Sequence, residues 1–244
     1  VVKAQNGTGG YELKSNYVIE KSELNRLNFA LKNCFEYFGE FLGSEWVIEE
    51  KVEGEDGSIH VYIKDKYQHE DAFVLGSISK NNSYVGGYAP FEANGDQKRM
   101  IDLINTKMVP VMQELGVYGH HCFDFKGSYF LEDNIRPGAL DFVDGLVNRI
   151  MERNHPQKDF AYWHCHIEIP RPTSFEEIFS LIGDSLDPNQ VSGGCFAVVS
   201  NQEVLPFGRA LDLTTISYQG NNKLEDAKNL FKKLELQVQK LLAV

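Results

Sequence analysis

The stretch Gly119-His120-His121-Cys122-Phe123-Asp124-Phe125-Lys126-Gly127-Ser128-Tyr129-Phe130-Leu131-Glu132-Asp133-Asn134-Ile135-Arg136 reads as two antiparallel strands joined at a tight Lys126-Gly127 turn. Apolar and aromatic residues fill both arms, and the glycine supplies the backbone freedom of a short reversal. Side chains two apart on a strand share a face, so Glu132, Asn134 and Arg136 project together, with Asp124 on the neighbouring strand. Two carboxylates and an amide oxygen form the hard-oxygen set that Mg²⁺ takes, water and phosphate oxygens completing its shell. A guanidinium beside metal-bound phosphates suits stabilisation of charge in a phosphoryl or acyl transfer. By itself the stretch also fits a polar strand end with a local ion pair.

Upstream, residues 98–115 carry a helical pattern through Ile101, Ile104, Met108, Val111 and Leu115; Pro110 predicts a kink or two pieces, and Gly116 a stop. Ala72 to Ile78 reads as a strand and Asn81 to Gly87 as turn-rich. Ile59, Val61 and Ile63 alternate as a strand after an Asp56-Gly57 turn. Trp46-Val47-Ile48 is a further strand, running into Glu49-Glu50-Lys51-Val52-Glu53-Gly54. An extended segment there offers backbone groups to an adenine edge, and Asp56 a carboxylate to ribose hydroxyls. Ser22 caps a helix with Leu24, Leu27, Leu31, Phe35 and Phe38 on one side. At the start, a strand ending at Lys3, the loop Gln5-Asn6-Gly7-Thr8-Gly9-Gly10-Tyr11 and a strand over 16–19 form a hairpin. The glycines let backbone N–H groups approach phosphate oxygens, with Lys3 placed to add an ammonium.

Downstream, the pattern predicts helices over 142–151 and 174–182, strands over 161–169 and 195–199, and a closing amphipathic helix over 222–242. The mixture is α+β, helices covering antiparallel strands.

The chain has 244 residues, 42% hydrophobic and 24% charged, which excludes disordered, collagenous and disulfide-knot classes. Its formal charge of −11 argues against a nucleic-acid or membrane-phosphate partner. Cys34, Cys122, Cys165 and Cys195 form no CxxC and read as scattered reduced core residues, hence a cytoplasmic protein. No secretory or spanning segment is evident, and Val1-Val2-Lys3-Ala4 reads as strand interior, so the chain is expected to be a fragment.

Taken in order, strand Lys3, glycine loop, helix, Glu-rich hinge, Gly116-Val117-Tyr118-Gly119, late Asp124 and Glu132-Asp133-Asn134-Ile135-Arg136, the sequence resembles the ATP-grasp superfamily over residues 1 to about 140. The resemblance implies two α+β subdomains sandwiching ATP, a small one over 1–75 and a large one with the metal site over 76–150, followed by a family-specific α/β segment over 151–244. It further implies that Lys3 contacts the α- and β-phosphates and that Gly7, Thr8, Gly9 and Gly10 close over the γ-phosphate. Glu49, Glu50, Lys51 and Val52 would hold adenine and Asp56 the ribose. Asp124, Glu132 and Asn134 would hold one or two Mg²⁺ ions, and Arg136 would steady the transferred phosphoryl. The implied activity is ATP-dependent ligation of a small-molecule carboxylate to an amine through an acyl phosphate. Three departures stand out: Asp133 and Lys51 replace apolar residues, and the family's preceding domain, with its further phosphate-binding lysine, is expected to lie outside the sequence read from Val1.

Two rivals share the nucleotide residues or part of them: a kinase acting on a small-molecule hydroxyl, and a nucleotide-binding module without turnover. A homo-oligomer is compatible with the sequence. His164 and His166 share a strand face while Cys165 points away, so zinc is not expected there; His120 and His121 divide between faces, and Lys80 reads as a solvated loop residue.

Overall fold

A computed structural model of the chain describes residues 2–4, 16–17, 46–48, 52–80, 83–156, 158–169, 173–186, 194–200 and 210–241. Val1–Gly54 with Ser79–Val85 form one compact unit, and Glu55–Ile78 with Gly86–Val244 a second. In the first unit β1 (Val2–Ala4) is the middle strand of a three-stranded sheet between β2 (Asn16–Tyr17) and β3 (Trp46–Ile48), antiparallel to both. The glycine loop over 5–11 and the helix expected after Ser22 lie outside the described residues.

An eight-stranded sheet, most of it in the second unit, comprises β4 (Asp56–Ile63), β5 (Phe73–Lys80), β6 (Ser83–Ala89), β7 (Gly119–Lys126), β8 (Tyr129–Asn134), β9 (Ala161–Glu168), β10 (Cys195–Val199) and β11 (Ala210–Ser217). They lie in the order β10-β11-β9-β6-β5-β4-β7-β8. Residues beyond 150 thus extend the sheet that carries the 119–134 hairpin.

Period-two alternation divides the core between the faces. On one face Ile59, Val61 and Ile63 of β4 and Phe123 and Phe125 of β7 pack with Met100, Ile104 and Val109 of the helical segment above. That segment comprises α1 (Gly95–Leu103), a π-turn (Ile104–Met108) and α2 (Val109–Leu115). Pro110 in the first turn of α2 and a left-handed Gly116 at its end give the predicted two pieces and stop. At the other end of the sheet, Ile167, Leu211 and Leu213 pack with α4 (Phe175–Ile182) and α5 (Lys223–Leu241), through Ile178, Phe231, Leu234 and Val238. A ring chain joins these two clusters: Phe125 to Phe91 at 5.8 Å, Phe91 to Tyr88 at 6.0 Å, and Tyr88 to Trp163 at 5.4 Å between centroids. The opposite face is covered by α3 (Ala139–Asn154), whose Val143, Val147 and Met151 meet Tyr162, Phe196 and Ile216.

Three expectations need correction. Asp56-Gly57 is not a turn but the first part of β4, paired with Lys126 and Phe125. The run to Gly87 is not turn-rich past Ser83 but forms β6: a Cβ on Gly86 would sit 2.0 Å from the His164 carbonyl oxygen, and one on Gly87 2.3 Å from Leu140. Both glycines permit close packing rather than a bend. Strand β11 was not expected; its Thr215 donates to the Ala227 carbonyl at 2.7 Å and is buried.

Candidate functional site

The Lys126-Gly127 reversal, with Gly127 at φ 59°, sets β8 against β7 in a register that pairs Asp124 with Glu132 and Cys122 with Asn134. A register shift between Asp124 and Phe125 breaks the ladder there, a device that re-aims side chains next to a functional site. All four residues fall on the face shared with Ser58 and His60 of β4, since Ser58 pairs with Asp124 and His60 with Cys122. Asn134 Nδ2 donates to Asp124 Oδ2 at 3.1 Å and to Glu132 Oε1 at 3.2 Å, so its amide bridges the two carboxylates. Arg136 follows at once, donating to Asn134 Oδ1 at 3.2 Å and to the Pro137 carbonyl at 3.3 Å. The structure therefore gathers Asp124, Glu132, Asn134 and Arg136 at one exposed hairpin end.

Asp124 is pushed up to about 6, first by burial and then by the neighbouring Glu132 charge. Two carboxylates that repel each other ionise together when a divalent cation lies between them. Turning the Asn134 amide would present its oxygen with theirs, so the donor set fits Mg²⁺ with oxygens of water or a ligand completing the shell. Among the described residues no group of three His, Cys, Asp or Glu side chains could hold a metal ion. His164 contacts Thr214 Oγ1 at 2.9 Å and His166 pairs with Asp212. Burial pushes the Cys122 thiol up, so this sulfur is no thiolate nucleophile. Asp133 points to the other face, where His121 Nδ1 meets it at 3.1 Å.

The remaining candidate residues lie elsewhere in the chain. Lys3 falls on β1, in register with Asn16 and Val47. Gly7, Thr8, Gly9, Gly10, Glu49, Glu50 and Lys51 lie outside the described residues, while Val52 is a half-buried loop residue. Asp56 is engaged with Lys126 Nζ at 2.9 Å.

Sequence reasoning missed the polar layer beneath the hairpin. Ser58 Oγ lies 2.7 Å from His60 Nε2, and His60 Nδ1 lies 2.8 Å from Asp141 Oδ1, with Ser58 and His60 buried. The spacing Ser58-x-His60 marks a shared face, but their link to Asp141 appears only when α3 is folded back.

No family model and no curated protein matches the chain. Solved structures do. The ATP complex of carboxyaminoimidazole ribonucleotide synthase from Aspergillus clavatus aligns at TM-score 0.63 and 12% identity, over 98% of this chain and 62% of that one. The ADP complex of PurK, N5-carboxyaminoimidazole ribonucleotide synthetase, aligns at 0.60 and 15%, over 100% and 62%. The biotin carboxylase domain of Hydrogenobacter thermophilus 2-oxoglutarate carboxylase, a dimer with MgADP, ADP and bicarbonate, aligns at 0.54 and 17%, over 96% and 55%. These are ATP-grasp structures, and the likeness at such identities is one of fold. The chain spans somewhat over half the length of each.

Proposed function

We propose that this chain, which has the ATP-grasp fold, is the nucleotide- and metal-binding part of an ATP- and Mg²⁺-dependent ligase that joins a carboxylate to an amine. One observation carries the reading: Asp124 and Glu132 converge on the Asn134 amide, with Arg136 beside them, at an exposed hairpin end. Asp124, Glu132 and Asn134 would hold Mg²⁺, which when bound neutralises phosphate charge. Arg136 binds and orients the transferred phosphoryl, its fork matching two phosphate oxygens. Lys3 and the 7–10 loop are assigned to the phosphates, Glu49 to Val52 to adenine and Asp56 to ribose. Since Asp56 already pairs with Lys126, ribose binding would exchange that partner.

The chemistry proceeds in two displacements. A carboxylate oxygen attacks the γ-phosphorus and ADP leaves, giving an acyl phosphate; the amine then attacks the acyl carbon, phosphate departs and the amine loses a proton to solvent. Neither displacement needs a protein nucleophile; positioning and charge neutralisation suffice. The named neighbours support the ligase kind without fixing the substrates, so the acid and amine are sought among small molecules, bicarbonate included.

Trapping tests this. The full chain is incubated with ATP, Mg²⁺, hydroxylamine and a panel of amino acids, dicarboxylates and bicarbonate. Acid-dependent hydroxamate and ADP support the ligase; a stable phosphoester on a hydroxyl substrate favours the kinase. ADP formation unchanged by Glu132→Ala would sink the metal assignment.

A further inference from the structure

The residues below the hairpin line up as a run of close polar contacts, in which His60 Nδ1 approaches Asp141 at ion-pair distance without a hydrogen bond. Asp141, in the first turn of α3, accepts from the Gly138 N–H through Oδ2 at 2.5 Å and meets His60 Nδ1 through Oδ1 at 2.8 Å. His60 passes the contact to Ser58 Oγ at 2.7 Å, and Ser58 is the cross-strand neighbour of Asp124. The His60 ring is held from the side by Phe73, stacked at 5.2 Å with 19° between planes. Gly138 closes the arrangement from above: a Cβ there would lie 2.9 Å from Cys122 Sγ and 3.1 Å from His60 Cε1. Cys122 Sγ in turn faces Asp124 Oδ1 at 3.7 Å.

This Ser–His–Asp order resembles a nucleophilic triad in distance alone, because Ser58 and His60 are each no more than 3% exposed and no substrate can reach the serine. What these contacts do reach is the Arg136-Pro137-Gly138 turn and the strand of Asp124. We propose that Asp141, His60 and Ser58 are positioning residues, a relay that pins the Arg136 turn and the Asp124 strand in one geometry for the metal–nucleotide complex. This role rests on the nucleotide reading above. Such supporting shells typically matter by about ten- to a hundredfold in metal affinity or activity.

The test uses the full chain and Asp141→Asn, His60→Gln, Ser58→Ala and Gly138→Ala, the last at an extended backbone (φ −71°, ψ 164°) that alanine adopts freely. Two quantities are measured: backbone hydrogen exchange without nucleotide, and calorimetric binding of ATP with and without Mg²⁺. The relay predicts faster exchange confined to residues 135–140, Mg·ATP binding weakened about tenfold or more, and metal-free ATP binding weakened by a smaller factor. Exchange at 135–140 equal to wild type overturns the relay. So does exchange raised equally in α5, which marks general destabilisation, and so does local loosening with Mg·ATP affinity intact. A wild-type chain that binds no Mg·ATP overturns the nucleotide reading and this role with it, a failure distinguishable because it appears before any substitution.

Discussion

At His164 burial decides the charge. Burial on β9, flanked by β11 and β6, pushes it down to about 4, the His166 charge adding to the effect and Asp212 opposing it. Below the ordinary value of 6.5 the unfolded chain takes up a proton that the folded chain refuses until about 4, so stability falls as pH drops through that window and levels off beneath it. The contribution is on the order of 3 kcal/mol. Denaturant titrations between pH 7 and 4 should show the slope, and His164→Asn should flatten it. The same residue scale shows what sequence could reveal. Glu132, Asn134 and Arg136 were legible because a two-residue period needs no tertiary knowledge. His60 and Asp141 were not, because their partnership is created by a helix returning across the sheet.

Elements were legible where local chemistry and tertiary context agree. The 119–134 hairpin, the two-piece helix around Pro110 and the helix expected over 174–182, whose Ser174 accepts from Glu177 N at 3.2 Å, all announce themselves in composition. Strand β6 did not, because Gly86-Gly87 signals a turn locally while the neighbouring His164 carbonyl and Leu140 demand a residue without a side chain. Gly86→Ala should therefore destabilise by about 1–3 kcal/mol through overpacking, read as a lowered denaturation midpoint. The start of α1 offers a gentler comparison. Asn94 accepts from Asp96 N at 2.9 Å and Gln97 N at 3.1 Å, and Gln97 returns an acceptor to Asn94 N at 2.8 Å. Losing that capping box in Asn94→Ala should cost about 1 kcal/mol in the same assay.

On the scale of the whole molecule, the closing helix packs its apolar side on the sheet. Leu234 is 1% exposed among Ile178, Phe231 and Val238, so Leu234→Ala should cost about 2–5 kcal/mol, visible by calorimetric melting. Among the described residues no helix is long and apolar enough to cross a membrane. The architecture thus sets one decorated hairpin end on a broad, well-packed sheet, and the function proposed for it depends on that end taking a metal together with ATP. The decisive measurement is Mn²⁺ binding to the full chain with ATP, followed by loss of the free-ion paramagnetic resonance signal. Wild type should hold the ion, and Asp124→Asn and Glu132→Gln should each weaken it by at least about tenfold. Equal Mn²⁺ retention in all three proteins would contradict the account.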